Sequence, residues 1–299
     1  MPDLTIAICT SIGRGKEYAI PIAKRVLPVI SQSIGADTFV VNDAPEATNV
    51  DGLNVINWPG CGEQFGMGLR HERLARMRQW TLDQVNAAKY DFIYWHDIDV
   101  VPPPDIILKL LKLWSQVVHY NVHVLSGTCY MRNVVQPRII GYEMRGDVTP
   151  RVPNTGEYLT VGLGCCLVDS LAMGVPFKRN ANDGMYIGED FVWCADVSRR
   201  GLGNVILDYT LPCWHCSEDG SANFPIVGEQ KVGIAWGGTP FQVSNNYGLW
   251  VRDVPRFDVP LEAYASMGVG FYKYKVPELG IVNSTITDAL SYYGYGDLT

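Results

Sequence analysis

Two aspartates separated by one residue stand directly after a short apolar run. Asp97 and Asp99 follow the run Phe92 to Trp95, which predicts a fully buried strand. Two carboxylates at such a strand end can share one hard divalent cation, and the cation can bridge to the oxygens of a diphosphate. Acidic residues also end strands as turn formers, so this triplet alone leaves both interpretations open.

A second pair of acids, Glu189 and Asp190, stands at the predicted start of a helix that runs to Arg200. A carboxylate at a helix start suits the helix dipole and can act simply as an N-cap, which is the more common case. The functional alternative is a general base that takes a proton from an acceptor hydroxyl.

The segment Cys213-Trp214-His215-Cys216 follows a predicted strand, Val205 to Tyr209. A structural zinc site would need a second ligand pair at suitable spacing, and the sequence shows none. His215 is therefore the candidate metal ligand of this segment, where it would complete a site with the aspartate pair. A lone histidine is more often structural.

Three arginines, Arg70, Arg73 and Arg76, lie on or near one side of a long predicted helix. Arginines in such a pattern usually lie on the solvent-exposed face of a helix. Alternatively, Arg70 or Arg73 turns inward to meet a phosphate or the aspartate pair, because a guanidinium binds oxyanions in a bidentate manner. The glycine-containing segment 12–16 has neither dinucleotide-binding nor P-loop spacing.

Strand-like and helix-like segments alternate through the first half of the chain. The pattern predicts strands at 4–9, 38–41, 53–57, 92–95 and 122–126, with helices at about 17–33, at about 69–88 and after the prolines 102–104. This alternation predicts an α/β fold with a mostly parallel central sheet flanked by helices. Ligands of such sheets sit at the carboxyl ends of strands, which draws attention to Thr10, Asn42-Asp43 and residues 96–99.

Shorter elements follow from residue 127, including predicted strands at 163–169 and 205–209 and the helix at 190–200. Beyond Cys216 the chain is rich in Gly, Tyr and Pro and has weak periodicity. We therefore expect one domain over residues 1–217 and a C-terminal extension or subdomain over residues 218–299.

The composition restricts the class of protein. The 299 residues are 47% hydrophobic and 18% charged, with a net charge of −7, which excludes disorder and coiled coil and disfavours binding to a phosphate backbone. No apolar run is long enough to cross a membrane, and the first residues do not resemble a signal peptide. Eight cysteines are too sparse for a disulfide scaffold, so we expect buried free thiols and a cytoplasmic location.

Taken in order, these features resemble the GT-A glycosyltransferases, closest to the large family 2-like group. The resemblance covers residues 4–216. Four segments carry it: the strand ends Thr10-Ser11 and Val41-Asn42-Asp43, the DxD-like segment Asp97-Ile98-Asp99, and the block of Gly188-Glu189-Asp190-Phe191, Arg199-Arg200-Gly201 and His215.

The resemblance implies a GT-A fold and a metal site. Asp99 would bind Mn²⁺ or Mg²⁺ directly, Asp97 would contact the metal through water or the ribose, and His215 would contact the metal or the diphosphate. Asp190 would be the catalytic base of an inverting enzyme, with Glu189 as the weaker candidate.

The resemblance also implies a nucleotide-sugar donor, a UDP- or GDP-sugar. Asp43, with Thr10 nearby, would lie against its base and ribose, and Arg70 and Arg73 are the candidates for its phosphates. Gly162 and Gly164 would line the acceptor side. Separately from the resemblance, the composition of residues 225–240 suggests a loop that would close over the donor.

The expected activity is therefore metal-dependent transfer of a hexosyl group to an acceptor hydroxyl, with inversion. Retention is the open alternative, because retaining GT-A enzymes also carry DxD segments. The acceptor would be a glycan, a lipid-linked molecule, a protein or a small molecule. The alternatives are a sugar-phosphate nucleotidyltransferase, a non-catalytic nucleotide- or glycan-binding protein on the same fold, and transfer to a nucleic-acid base. His96 departs from the family, which has an apolar residue before its DxD segment, and the last 82 residues match no part of it.

Overall fold

A central mixed sheet dominates the computed structural model, which describes residues 4–44, 50, 52–60, 70–129, 141–143, 152, 155–178, 188–203, 205–237 and 270–296. In these residues the sheet has nine strands in the order β3-β2-β1-β4-β9-β6-β10-β8-β7. Its strands, in chain order, are β1 (Ile6–Ile12), β2 (Asp37–Asn42), β3 (Val55–Asn57), β4 (Phe92–Asp97), β6 (Val124–Thr128), β7 (Gly141–Glu143), β8 (Thr155–Val161), β9 (Cys165–Asp169) and β10 (Val205–Pro212).

Most of these strands run in one direction. Strand β1 pairs in parallel with β2 and β4, β2 pairs in parallel with β3, and β6 pairs in parallel with β10. Strand β9 is antiparallel to its neighbours β4 and β6, and β8 is antiparallel to β10 and β7. Among the nine described strands of this sheet, β8 and β9 therefore run opposite to the other seven. The predicted α/β fold with a mostly parallel sheet is confirmed.

Helices cover both faces of the sheet, because alternate side chains of each strand point to opposite sides. Tyr94 of β4 packs in a core with α1 (Ile20–Gln32) and α3 (Ile106–Val117). Its neighbour Trp95 packs in the other core with α2 (Arg70–Gln84) and α5 (Glu189–Arg199). The short helix α4 (Ser170–Met173) follows β9 and contributes Ala172 to this second core.

A second sheet begins two residues after β4. It has the order β13-β12-β11-β5 and is built from β5 (Val100–Val101), β11 (Trp214–Cys216), β12 (Ser221–Gly237) and β13 (Gly270–Thr285). Its pairs are antiparallel, and α6 (Ile286–Tyr292) follows β13 and adds Ile286, Ala289 and Leu290 to the first core.

The expected loop at 225–240 is wrong as far as Gly237, because this stretch is strand β12 and pairs with β13. Residues 238–240 lie outside the described residues. The division between residues 217 and 218 stays a prediction.

The cysteines behave as predicted in the described part of the chain, where each is buried and unbridged: Cys9, Cys129, Cys165, Cys166, Cys194, Cys213 and Cys216. None of the described helices is long and apolar enough to span a bilayer.

Candidate functional site

The carboxyl ends of β1, β2 and β4 lie side by side, as the sequence predicts. Thr10 of β1 is paired with His96 of β4. The backbone N–H of Asp43, which follows β2, donates to the carbonyl of Ile12 at 2.9 Å. Asp97 is the last residue of β4, and Asp99 immediately precedes β5. The polar strand ends therefore share one edge of the sheet.

Asp99 is buried and is surrounded by hydrogen-bond donors. Lys16 Nζ lies 3.0 Å from Asp99 Oδ1, and the Tyr18 hydroxyl donates to Asp99 Oδ2 at 3.1 Å. His215 Nε2 lies 3.6 Å from the same Oδ2. Strand β11 holds His215 there, because His215 pairs with Val100 of β5. The structure thus brings the predicted ligands Asp99 and His215 together.

Asp97 is the more accessible of the two aspartates, with 31% of its side chain exposed. Its carboxylate lies 4.0 Å from Lys16 Nζ and 3.8 Å from a terminal nitrogen of Arg78. Gly164 leaves room for the Asp97 carboxylate, because a Cβ at residue 164 would lie 3.2 Å from Asp97 Oδ2. The ammonium of Lys16 lies near both aspartates.

Asp97 and Asp99 offer the carboxylate oxygens that a hard divalent cation such as Mg²⁺ or Mn²⁺ prefers, and His215 offers an imidazole, which suits transition metals. The position of Lys16 shows that positive charge is stabilised next to both carboxylates. The three ligand atoms are not all within 4.8 Å of one another in the described structure. A cation held by these residues would take the place of the Lys16 ammonium, which lies next to both carboxylates.

Glu189 is held as a fixed anion. Arg78 Nε donates to Glu189 Oε1 at 3.0 Å, and His71 Nδ1 lies 3.3 Å from Glu189 Oε2. Burial alone would raise the pKa of Glu189, but the His71 hydrogen bond and the Arg78 charge lower it to about 2. A carboxylate with such a low pKa is a weak base at neutral pH.

Asp190 has the opposite electrostatic environment. Burial, followed by the negative charge of Glu189, raises the pKa of Asp190 to about 7, although Arg78 opposes the change. Its Oδ1 accepts a hydrogen bond from the backbone N–H of Phe191 at 2.8 Å. Gly188 occupies the N-cap position of α5, so both acids lie in the first turn of the helix rather than at its N-cap. Of the two candidates, Asp190 is the one suited to accept a proton near neutral pH.

Asp43 lies in a separate buried ion pair with Arg73. The guanidinium donates to the Asp43 carboxylate and, at 3.0 Å, to its carbonyl, and it stacks over the ring of Trp58. Burial raises the pKa of Asp43 to about 6 against the opposing charges of Arg73 and Arg14. Arg73 therefore turns inward, as one interpretation of the helix allowed, and its partner is Asp43.

The remaining candidates make fewer contacts. Arg70 is the exposed first residue of α2, and among the described residues no ion pair joins it to Asp97 or Asp99. Thr10 is buried, and its Oγ1 has no hydrogen-bond partner within the described structure.

Sequence reasoning missed four side chains of the site: Lys16, Tyr18, His71 and Arg78. Lys16 stood in a glycine-containing segment that matched no phosphate-binding spacing. His71 and Arg78 lie on the same helix as the three candidate arginines, but nothing in the spacing sets them apart. What distinguishes these two residues is their contact with Glu189. That contact forms when α2 packs against α5, so the sequence alone does not reveal it.

No family model matches the chain, and no curated protein does. Similar solved structures include A197 from STIV, with 15% identity, a TM-score of 0.44, and coverage of 73% of this chain and 88% of that one. A glycosyltransferase involved in the glycosylation of the major capsid of PBCV-1 has 14% identity, a TM-score of 0.40, and coverage of 69% and 81%. GalNAc-T7 with UDP, GalNAc and Mn²⁺ has 12% identity, a TM-score of 0.48, and coverage of 71% and 44%.

Glycosyltransferases are thus among the solved structures to which the chain is similar, as the motifs led us to expect, and the similarity is distant. The strand order and directions define this chain as an α/β protein with a mostly parallel sheet, and its acidic residues gather where the strands end.

Proposed function

We propose that the chain is a metal-dependent glycosyltransferase that moves a hexosyl group from a nucleotide-sugar donor to an acceptor hydroxyl with inversion. One observation carries the proposal: a single arginine, Arg78, contacts both Asp97 and Glu189. The two acidic motifs, far apart in the sequence, therefore belong to one site.

Asp97, Asp99 and His215 would hold Mn²⁺ or Mg²⁺, and such a cation supplies charge neutralisation for a leaving diphosphate. The protein also places a cation of its own next to these aspartates, because Lys16 Nζ lies 3.0 Å from Asp99. If a cation displaced it from the aspartates, its ammonium would be available to bind the same phosphates.

The nucleoside of the donor would lie at the ends of β1 and β2. Asp43 is largely ionised above its pKa of about 6 and accepts hydrogen bonds from a base or a ribose. Arg73 positions Asp43 by donating hydrogen bonds to both its carboxylate and its backbone carbonyl. Thr10 Oγ1 is a second candidate contact, and exposed Arg70 is the remaining candidate for the phosphates.

Asp190 would take the proton of the acceptor hydroxyl as the hydroxyl oxygen attacks the anomeric carbon. The bond to the diphosphate breaks on the opposite face, so the configuration inverts. Glu189 is a positioning residue, because it holds Arg78. Burial and, after it, the negative charge of Glu189 raise the pKa of Asp190 to about 7. Residues 218–299 would serve the acceptor side, which is consistent with β11 and β12 sharing a sheet with β5.

Release of UDP or GDP from a panel of nucleotide sugars tests this proposal in wild type, Asp190→Asn and Asp196→Asn. Asp196 is the matched control, since it lies on the same helix in a surface pair with Arg199. Removal of a general base costs about 10²- to 10⁴-fold in rate, so we expect a loss of this size in Asp190→Asn only. Equal rates in all three proteins would remove Asp190 as the base, and no release by wild type would favour a non-catalytic binding protein.

A sugar-phosphate nucleotidyltransferase is the second candidate, because Lys16 stands just after β1 and points to the aspartates. This activity would consume a nucleoside triphosphate and a sugar phosphate and release pyrophosphate. Release of pyrophosphate by wild type, lost in Lys16→Met, would favour it over glycosyl transfer.

A further inference from the structure

Three cysteines from three neighbouring strands meet inside the protein. Cys165 is the first residue of β9, Cys129 follows β6, and Cys213 follows β10. Their Sγ atoms all lie within 4.8 Å of one another, and the Sγ atoms of Cys129 and Cys165 are 3.4 Å apart. All three side chains are buried.

The backbone holds this cysteine cluster in place. The N–H of Cys213 donates to the carbonyl of Thr128 at 2.8 Å, which ties the end of β10 to the end of β6. At Gly127 a Cβ would lie 3.2 Å from Cys213 Sγ and 2.9 Å from the carbonyl oxygen of Leu211. A side chain larger than hydrogen at residue 127 would thus crowd the cluster.

A second observation comes from the neighbouring strand β4. His96 is buried and pairs across the strands with Cys165, so the two side chains lie on the same face of the sheet. Neither ring nitrogen of His96 has a hydrogen-bond partner in the described structure, and the hydroxyl of Tyr94 has none either. Tyr94 stacks on His96 with ring centroids 6.0 Å apart. Buried polar atoms are seldom left without partners, so these atoms require partners that the described residues do not supply.

We propose that Cys129, Cys165 and Cys213 form a structural site for a thiophilic divalent cation of the zinc type, with His96 as the fourth ligand. Three cysteines and one histidine are a common ligand set for tetrahedral Zn²⁺. Binding converts the three thiols to thiolates and releases their three protons to solvent. His96 is outside the group of atoms within 4.8 Å, so its ring must turn toward the sulfurs to bind.

This site is distinct from the one at Asp97 and Asp99. It shares no ligand with that site, although His96 directly precedes Asp97 in the chain. The chemistry differs as well, because thiolates select soft cations and carboxylates select hard ones. A cation at the cysteine cluster would cross-link β4, β9, β6 and β10 next to the strand end that carries Asp97.

Anaerobic titration of the reduced wild-type protein with Co²⁺, followed by displacement with Zn²⁺, tests the proposal. We expect one equivalent of Co²⁺ to give the thiolate-to-metal charge-transfer absorption, which a carboxylate and histidine site does not produce. Asp99→Asn should leave this absorption unchanged. Elemental analysis of protein purified without chelator should find about one zinc per chain.

Two cysteine variants make a matched pair. Cys165→Ser should lose the charge-transfer absorption, whereas Cys166→Ser, next in the chain and facing the other core, should keep it. His96→Ala should keep the absorption but bind Co²⁺ about 10- to 100-fold more weakly. If Cys165→Ser fails to fold, the wild-type titration decides alone.

The absence of thiolate-bound Co²⁺ in reduced wild-type protein would overturn the proposal. The same holds if Cys166→Ser loses the absorption as fully as Cys165→Ser. A Cys129–Cys165 disulfide, found by mass spectrometry in protein purified under reducing conditions, would contradict it in favour of a redox pair.

Discussion

Arg78 of helix α2 donates a hydrogen bond from Nε to Oε1 of Glu189 at 3.0 Å. The same guanidinium lies 3.8 Å from Asp97 and packs over the ring of Trp95. Burial alone would lower the pKa of Arg78, but the negative charges of Glu189, Asp97 and Asp190 outweigh it and raise the pKa. This arginine is therefore a permanent cation. Because it pairs with Glu189, Asp190 is the acid that we propose as the proton acceptor.

The rate of sugar transfer should depend on pH through Asp190. Since its pKa is raised to about 7, the carboxyl is protonated and inactive as a base below that pH and ionised above it. We expect kcat to rise with pH and level off above about pH 8. Initial rates in saturating donor measure this profile. A flat profile from about pH 5.5 to about pH 8.5 would contradict the assignment of Asp190 as base.

Loss of Arg78 should both destabilise the fold and move this pH profile. Arg78→Gln removes the charged partner of buried Glu189 and leaves its contact with His71. Breaking such a buried pair costs about 3 to 5 kcal/mol of unfolding free energy. Because Arg78 lowers the pKa of Asp190, its removal should shift the profile to higher pH.

Urea unfolding and the pH–rate profile of Arg78→Gln measure the two effects. Arg76→Gln is the control on the same helix, where the side chain is exposed and a change within about 0.5 kcal/mol is expected. An Arg78→Gln protein as stable as wild type would show that the Glu189 contact is not formed in solution.

Asp190→Asn should stabilise the protein while it removes activity. The folded-state pKa of Asp190 lies above its unfolded value, so the ionised form is disfavoured in the fold. The destabilisation is absent below about pH 4, grows as the pH rises and is complete above about pH 7. Because Asp190 is half-buried, solvent reduces the effect, and we expect a gain of about 1 to 2 kcal/mol at pH 8.

Thermal or urea unfolding of Asp190→Asn and wild type at pH 8 and pH 5 checks this prediction. The difference in stability should be larger at pH 8 than at pH 5. A variant that is less stable than wild type at pH 8 would mean that Asp190 makes stabilising contacts as an anion.

Lys16→Met should separate a metal-dependent site from a lysine-dependent one. If a divalent cation displaces the ammonium from Asp97 and Asp99, removal of Lys16 removes a competitor, and Mn²⁺ should bind about tenfold more tightly in the absence of nucleotide. Calorimetric titration with Mn²⁺ measures this change. Unchanged or weaker Mn²⁺ binding would show that Lys16 does not compete with Mn²⁺ for the two aspartates.

Local patterns predicted the elements that position the site. The helix expected at 69–88 is α2 and ends earlier, at Gln84, because Asn86 adopts a left-handed conformation with a φ of 51°. The strand before the aspartates and the helix after Gly188 are found within one or two residues of their expected bounds. Apolar periodicity is sufficient for such elements, because each forms one face of a core.

The partners of these elements were harder to predict, since they depend on contacts between distant segments. Strand β12 was expected to be a loop, because weak periodicity concealed its pairing with β13, which lies beyond a long intervening segment. The cysteine cluster was not predicted for the same reason, because the partners of Cys213 lie next to two other strands rather than in a nearby motif. In the acidic site, Lys16 and Arg78 became recognisable only once packing had set them against the carboxylates.

Calorimetric binding of UDP and of GDP, each with Mn²⁺ and with EDTA, tests the central claim most directly when repeated on Asp99→Ala. Asp105→Ala is the control, since Asp105 is an exposed carboxylate in a surface pair with Lys109. We predict that one of the two nucleotides binds wild type and Asp105→Ala only with Mn²⁺ and does not bind Asp99→Ala. Binding of neither nucleotide to the wild type, with or without metal, would contradict a nucleotide-sugar site at these aspartates.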